Sequence, residues 1–60
     1  MFTIFKNHNY DEPIMVADTF DDVLALFDEK DREWIERYFR IYAAMEVKGM
    51  AYRNYWIEWR

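Results

Sequence analysis

The stretch of sequence that decides the fold is Met50-Ala51-Tyr52-Arg53-Asn54-Tyr55-Trp56-Ile57-Glu58-Trp59, near the end of a 60-residue chain. Its aromatic and branched residues alternate with polar ones, which is typical of a half-buried β-strand. Because successive side chains of a strand point to opposite faces, Tyr55, Ile57 and Trp59 would face a core. Tyr52 and Trp56 would then lie on the opposite face. We therefore predict a single C-terminal strand with Tyr52 and Trp56 on the open face of a sheet.

The beginning of the chain predicts the other strands. Residues 1–7 are rich in Phe, Ile and Thr and favour a strand. Residues 7–12 are mostly turn formers. Pro13 then precedes the short apolar run 14–17, which suits a second strand. Two apolar runs around a polar turn predict an N-terminal hairpin.

A first helix is predicted after this hairpin. Thr19 is a good N-cap residue, and Asp22 completes a capping-box pattern three residues later. The apolar residues that follow recur at i, i+3, i+4 and i+7, as on one buried helical face. They are Phe20, Val23, Leu24 and Phe27.

A second helical pattern covers residues 31–48, with Gly49 where a left-handed C-cap would lie. Lys30 and Asp31 would interrupt one continuous apolar stripe, so two helices are favoured, or one helix bent around residues 28–31. The apolar residues of the second pattern span an arc of about 160°. They are Trp34, Ile35, Tyr38, Phe39, Ile41, Tyr42 and Met45.

Together these elements predict an α+β fold in a single domain over residues 1–60. A small antiparallel sheet of three strands would be covered on one face by one or two helices. A chain this short is near the lower limit for independent folding, and without cysteine it has no disulfide to help. Aromatic residues make up 22% of it, enough for a core and a possible surplus for an interface. The predicted core residues are Phe20, Leu24, Phe27, Ile35, Phe39 and Ile57.

The charge is unevenly distributed. The net charge is −4, and residues 11–33 hold nine acids against Lys30 and Arg32. On a helical wheel begun at Asp18, four acids lie opposite the core face. The helix dipole explains acids at a helix start but not at its end, where the last two would lie. We predict an acidic helical stripe that contacts a partner through Asp21, Asp22, Asp28 and Glu29.

The sequence offers no apparatus for catalysis. It has no serine and no cysteine, so the usual nucleophiles are missing, and it has no Gly-rich loop for phosphate. His8 is the only histidine, too few for a zinc site. Residues 28–33 lack the spacing of a calcium loop. We therefore predict a protein that is not an enzyme, with no catalytic residues, cofactor, metal or small-molecule substrate.

A binding role remains. The acidic balance disfavours direct contact with nucleic acid and favours a basic protein partner, especially one that itself binds nucleic acid. By analogy of size and charge, the leading hypothesis is an inhibitor of the kind phages and mobile elements use against host defence, replication or transcription proteins, acting as a nucleic-acid mimic. The alternative is a homodimeric interaction subunit that assembles through Tyr52 and Trp56. The start of the chain lacks the pattern of a secretory signal, and no apolar run would span a membrane, so we expect a cytoplasmic protein.

Overall fold

The computed structural model describes all 60 residues and has an α+β fold, as predicted. Four strands form one antiparallel sheet in the order β2-β1-β4-β3, and two helices accompany it. The elements in chain order are β1 Phe2–Lys6, β2 Met15–Ala17, α1 Phe20–Leu24, α2 Glu29–Ala44, β3 Gly49–Tyr52 and β4 Tyr55–Trp59. Neither helix has the combination of length and apolarity needed to cross a membrane.

The C-terminal stretch is a hairpin, so the prediction of one continuous strand is wrong. Arg53 and Asn54 form a two-residue turn between β3 and β4, and Arg53 has a positive φ of 53°. Because the turn reverses the chain, Tyr52 pairs with Tyr55 and lies on the same face of the sheet. On the β3 side of the turn, Tyr52 therefore faces the core instead of the predicted open face. On the β4 side, Tyr55, Ile57 and Trp59 face the core as predicted.

The position of the last strand is also corrected. The prediction put it in a three-stranded sheet, but β4 lies between β1 and β3 of a four-stranded one. The edges of the sheet are β2 and β3. The extra strand arises because one predicted strand is divided into two.

The predicted N-terminal hairpin is confirmed. β1 and β2 pair antiparallel, with Ile4 opposite Met15. Asn7 and His8, which follow β1, have φ of 56° and 60°. Positive φ at both central residues is the requirement of a type I′ turn, which matches the twist of paired strands. The amide of Asn9 closes the turn on the Lys6 carbonyl at 3.1 Å.

Two separate helices are present, the interpretation that the sequence favoured. Thr19 caps α1, its Oγ1 accepting a hydrogen bond from the Asp22 amide at 3.2 Å. Helix α1 ends at Leu24, and the Arg32 side chain bonds to the segment that connects it to α2. Its Nε donates to the carbonyls of Leu24 and Phe27, at 2.8 Å to each. This exposed arginine in the first turn of α2 therefore links the end of α1 to the segment that joins the two helices.

The prediction that Gly49 caps the end of α2 is wrong. Glu46 adopts the left-handed conformation, with φ 61°, and its amide bonds to the Ala43 carbonyl at 3.1 Å. The Val47 amide bonds to the Tyr42 carbonyl at 3.0 Å, which completes a Schellman motif. Helix α2 consequently ends at Ala44, before the predicted residue 48.

The core lies between the sheet and the helices. The residues fully removed from solvent are Ile4, Val23, Ile35 and Ile57. Of the predicted core, Phe27, Ile35 and Ile57 are buried, which confirms half of the set. Phe20, Leu24 and Phe39 are only partly buried and pack against the edge of this cluster, with Phe20 and Phe39 stacked at 4.1 Å between ring centroids.

Candidate interaction surfaces

The predicted acidic stripe does not lie on one helix. Asp21 and Asp22 belong to the first turn of α1, whereas Asp28 is the N-cap residue of α2 and Glu29 is its first residue. All four side chains are exposed. The prediction of a single helical stripe is therefore wrong, because α1 ends after Leu24 and the chain changes direction before Asp28.

Because α1 and α2 are separate helices, two of these acids lie at the start of a helix and not, as predicted, at the end of one. Asp28 and Glu29 lie at the start of α2, where the helix dipole stabilises negative charge, so local electrostatics accounts for them. They also have a cation nearby. Arg53 lines the same surface hollow as Asp28 and Asp31, and pairs with Asp31 at 3.2 Å.

A more coherent acidic surface lies at the β2 side of the molecule. Residues 7–27 contain five acids and neither Lys nor Arg. β2 is an edge strand, and exposed acids stand before it, after it and on α1. None of them takes part in a salt bridge. We call this surface the acidic edge; it comprises Asp11, Glu12, Asp18, Asp21 and Asp22.

Tyr52 is not on the open face of the sheet. Its side chain is 9% exposed and belongs to the core, so the prediction that it is an exposed contact residue is wrong. Its ring meets Phe27 edge-on, with the centroids 6.2 Å apart. Its hydroxyl donates a hydrogen bond of 2.6 Å to Asp31 Oδ1. The hydrogen bond to the Asp31 carboxylate, and then burial, raise the pKa of the Tyr52 phenol above its ordinary value of 10.0.

Trp56 does lie on the open face, where it is half-buried. Its indole Nε1 donates to Glu58 Oε2 at 3.1 Å, and the six-membered ring covers Gly49. Tyr10 covers the neighbouring Phe5, with 5.8 Å between the ring centroids. The open face thus has a small aromatic cluster of its own, and Trp56 is the one predicted aromatic contact residue that remains accessible there.

A further apolar surface was missed in the sequence. Three large side chains of α2 and that of its C-cap residue Met45 are 46%, 36%, 49% and 63% exposed, in chain order. The sequence prediction named only Ile35 and Phe39 of this apolar arc as core residues and gave these four no role. The signal that could have found the surface was the width of that arc, because a helix on a sheet buries a stripe nearer 100°. We call these residues the α2 stripe: Trp34, Tyr38, Ile41 and Met45.

No group of three or more His, Cys, Asp or Glu side chains converges as metal ligands would. No protein-family model, curated protein or solved structure matches the chain. The surface of the protein has three distinct regions: the acidic edge, the aromatic open face and the α2 stripe.

Proposed function

We propose that this protein is a non-enzymatic binding protein whose acidic edge docks on a basic surface of another protein. The observation that carries the proposal is the composition of residues 7–27, with five acids and no Lys or Arg. The carboxylates of the acidic edge are exposed and make no salt bridge within the chain. A surface of one charge attracts its opposite and speeds the encounter.

The partner class that fits such a surface best is a protein that binds nucleic acid. Its binding groove presents Lys and Arg for contact with phosphates, and carboxylates held on a folded edge can take the place of those phosphates. Bound there, the protein competes with nucleic acid and acts as an inhibitor. Proteins of this size and charge that block host defence, replication or transcription factors of the cytoplasm serve as the analogy.

A titration with protamine, an arginine-rich polypeptide, tests which surface receives a basic partner. In spectra of the ¹⁵N-labelled protein, the amide signals of the acidic edge should shift first, those of Asp18, Asp21 and Asp22 among them. The affinity should fall steeply as salt rises from about 50 to 200 mM, because salt screens exposed charges. Shifts confined to other parts of the surface would count against the proposal.

Two double variants with the same loss of charge supply the control. Asp21→Asn with Asp22→Asn removes two charges from the acidic edge, and Asp28→Asn with Glu29→Gln removes two from the start of α2. The first pair should weaken binding several-fold more than the second. Equal weakening would mean that only net charge matters. The same variants, used in parallel pull-downs from a host lysate with mass spectrometry, separate a true partner from proteins that bind any acidic chain.

A homodimeric interaction subunit that assembles through the open face is the second candidate. Tyr52 does not support it, since the side chain is in the core. Trp56 does, because it is partly exposed on the same face of the sheet as Val16, which is 56% exposed. Association through this face should persist at high salt, whereas binding through the acidic edge should not.

A further inference from the structure

The α2 stripe lies on a side of the helix that no other helix or strand of the chain covers. At about 100° per residue, its four residues fall within about 60° of one another around the helix axis. The residues that pack on the sheet lie about 100° away and include the fully buried Ile35. The opposite side of α2 carries charged residues such as Glu36 and Arg40, which pair at 2.7 Å. The stripe is therefore a third face of α2, apolar but separate from the core.

The stripe borders an open edge of the sheet. Around the helix, Asp31 lies next to the stripe and bonds to Tyr52 and Arg53 at the end of β3. Phe39 and Arg32 lie on the far side of the core face and contact α1. The stripe is thus on the β3 side of α2, and β3 is an edge strand.

We infer that a second copy of this chain covers the α2 stripe, in a two-fold dimer with the two α2 helices antiparallel. The stripe has spacings of four, three and four residues, which are the same read in either direction. Two antiparallel copies therefore pair every member of it. Trp34 meets Met45 of the second copy and Tyr38 meets Ile41, so each layer joins an aromatic ring to a flexible or aliphatic side chain.

The residues beside the α2 stripe also favour the antiparallel pairing. The flanking positions of an antiparallel helix pair face each other, which puts Arg37 of one copy opposite Ala44 of the other. A small residue there leaves room for the arginine, and no like charges meet. Arg37 already lies over its own Trp34, 4.9 Å from the ring centroid, so its charge has a place beside the α2 stripe. The edge strands β3 of the two copies come to the same side of the dimer.

The area is sufficient for a dimer of modest affinity. The exposed parts of the four side chains amount to roughly 400 Å² per copy, or roughly 800 Å² for the pair. Flanking contacts from the exposed Arg37 and Ala44 bring the total towards the ~1,200 Å² at which standard interfaces begin. Such a patch is also large for a chain whose entire accessible surface is 4509 Å².

Sedimentation of the full chain between about 5 and 500 µM tests the inference, which does not depend on the proposed function. The mass should rise from the 7.6 kDa of one chain to twice that value, and the melting temperature should rise with concentration. A wild-type chain that remains monomeric throughout this range would overturn the inference.

Three lysine substitutions at exposed positions locate the surface. Ile41→Lys puts two like charges near the two-fold axis and should raise the dissociation constant at least 100-fold. Ala43→Lys, on the charged side of α2, and Val16→Lys, on the open face of the sheet, should leave it within about three-fold. Dissociation by Val16→Lys with an unaffected Ile41→Lys variant would assign the dimer to the open face and overturn the inference.

Disulfide cross-linking tests the orientation, since the natural chain has no cysteine. Trp34→Cys and Met45→Cys, mixed and oxidised, should form a mixed dimer, whereas each variant alone should form little. Efficient cross-linking of either variant with itself would indicate parallel helices and overturn the antiparallel arrangement. Both substitutions are at exposed positions, and circular dichroism verifies that the variants are folded.

Discussion

The hydroxyl of Tyr52 donates a hydrogen bond to Asp31 Oδ1 across 2.6 Å, and this contact ties the end of β3 to the first turns of α2. Arg53 reaches the same carboxylate oxygen at 3.2 Å and lies over the Tyr52 ring at 5.6 Å. The three side chains form a small polar cluster beside the core. Its central bond is sensitive to pH, since it requires the protonated phenol.

We expect stability to fall at alkaline pH more steeply in the wild type than in Tyr52→Phe. The folded-state pKa of Tyr52 lies above the unfolded value of about 10, so the hydrogen bond stabilises fully below pH 10. That contribution is lost as the pH rises through the folded-state pKa. At pH 7, Tyr52→Phe should lower the free energy of unfolding by about 1–2 kcal/mol. Urea unfolding between pH 7 and 11 measures both effects, and a constant difference between the two proteins would contradict the expectation.

Glu46→Gly should stabilise the protein by about 1 kcal/mol. Glu46 closes α2 with φ 61°, a conformation that glycine adopts without a steric penalty, and its negative charge is unfavourable at a helix C-terminus. For a domain of this size the melting temperature should rise by about 4–8 °C. A lower melting temperature would mean that the Glu46 side chain makes a contact that outweighs the strain.

Gly49→Ala should destabilise the protein, although Gly49 has an ordinary backbone conformation. A Cβ on Gly49 would stand 2.5 Å from Cζ2 of Trp56, so the indole would have to move off the strand. In a Trp56→Leu background the same substitution should have a much smaller effect, and thermal melts of the four proteins of this cycle measure the coupling. Equal effects in both backgrounds would contradict the role given to the indole.

Ile35→Ala should cost about 2–5 kcal/mol, because the side chain is 0% exposed and its loss leaves a cavity between α2 and the sheet. Leu24→Ala should cost less, since Leu24 is only partly buried at the end of α1. Chemical denaturation of both variants checks the ranking. The reverse order would mean that α1 contributes more to the core than its burial indicates.

His8→Gly should raise the stability by about 0.5–1 kcal/mol, because His8 has a φ of 60° in the turn after β1. The substitution removes the hydrogen bond between His8 Nδ1 and the Tyr10 hydroxyl at 3.1 Å, which is exposed and contributes little. His8→Val is the matched control and should be destabilising, since a branched side chain is disfavoured at positive φ. Melting temperatures that fail to separate the two variants would contradict this account of the turn.

The sequence by itself determined the features that depend on neighbouring residues. The sequence predicts the Thr19 cap, a second helical pattern over residues 31–48, the N-terminal hairpin and a break around residues 28–31, and together these indicate the α+β class. The excess of acids between residues 11 and 33 was readable too. Each of these properties arises within a few residues, so periodicity and capping are enough to detect it.

The tertiary structure decided which faces became surfaces. Tyr52 lies on the core face of the sheet, not on the predicted open face, because Arg53 and Asn54 reverse the chain. This turn contains no glycine, so the sequence had no local signal for the hairpin. The predicted acidic stripe is divided between two helices because α1 ends after Leu24, whose carbonyl accepts a hydrogen bond from Arg32 of α2.

The α2 stripe became exposed for a reason of the same kind. Tyr38 and Phe39 are both aromatic and adjacent, yet Tyr38 is exposed and Phe39 stacks on Phe20 of α1. Hydrophobicity along one helix gives the width of its apolar arc, but the angle at which the helix meets the sheet selects the part that is buried. That angle depends on packing between residues far apart in sequence, which a local pattern does not contain.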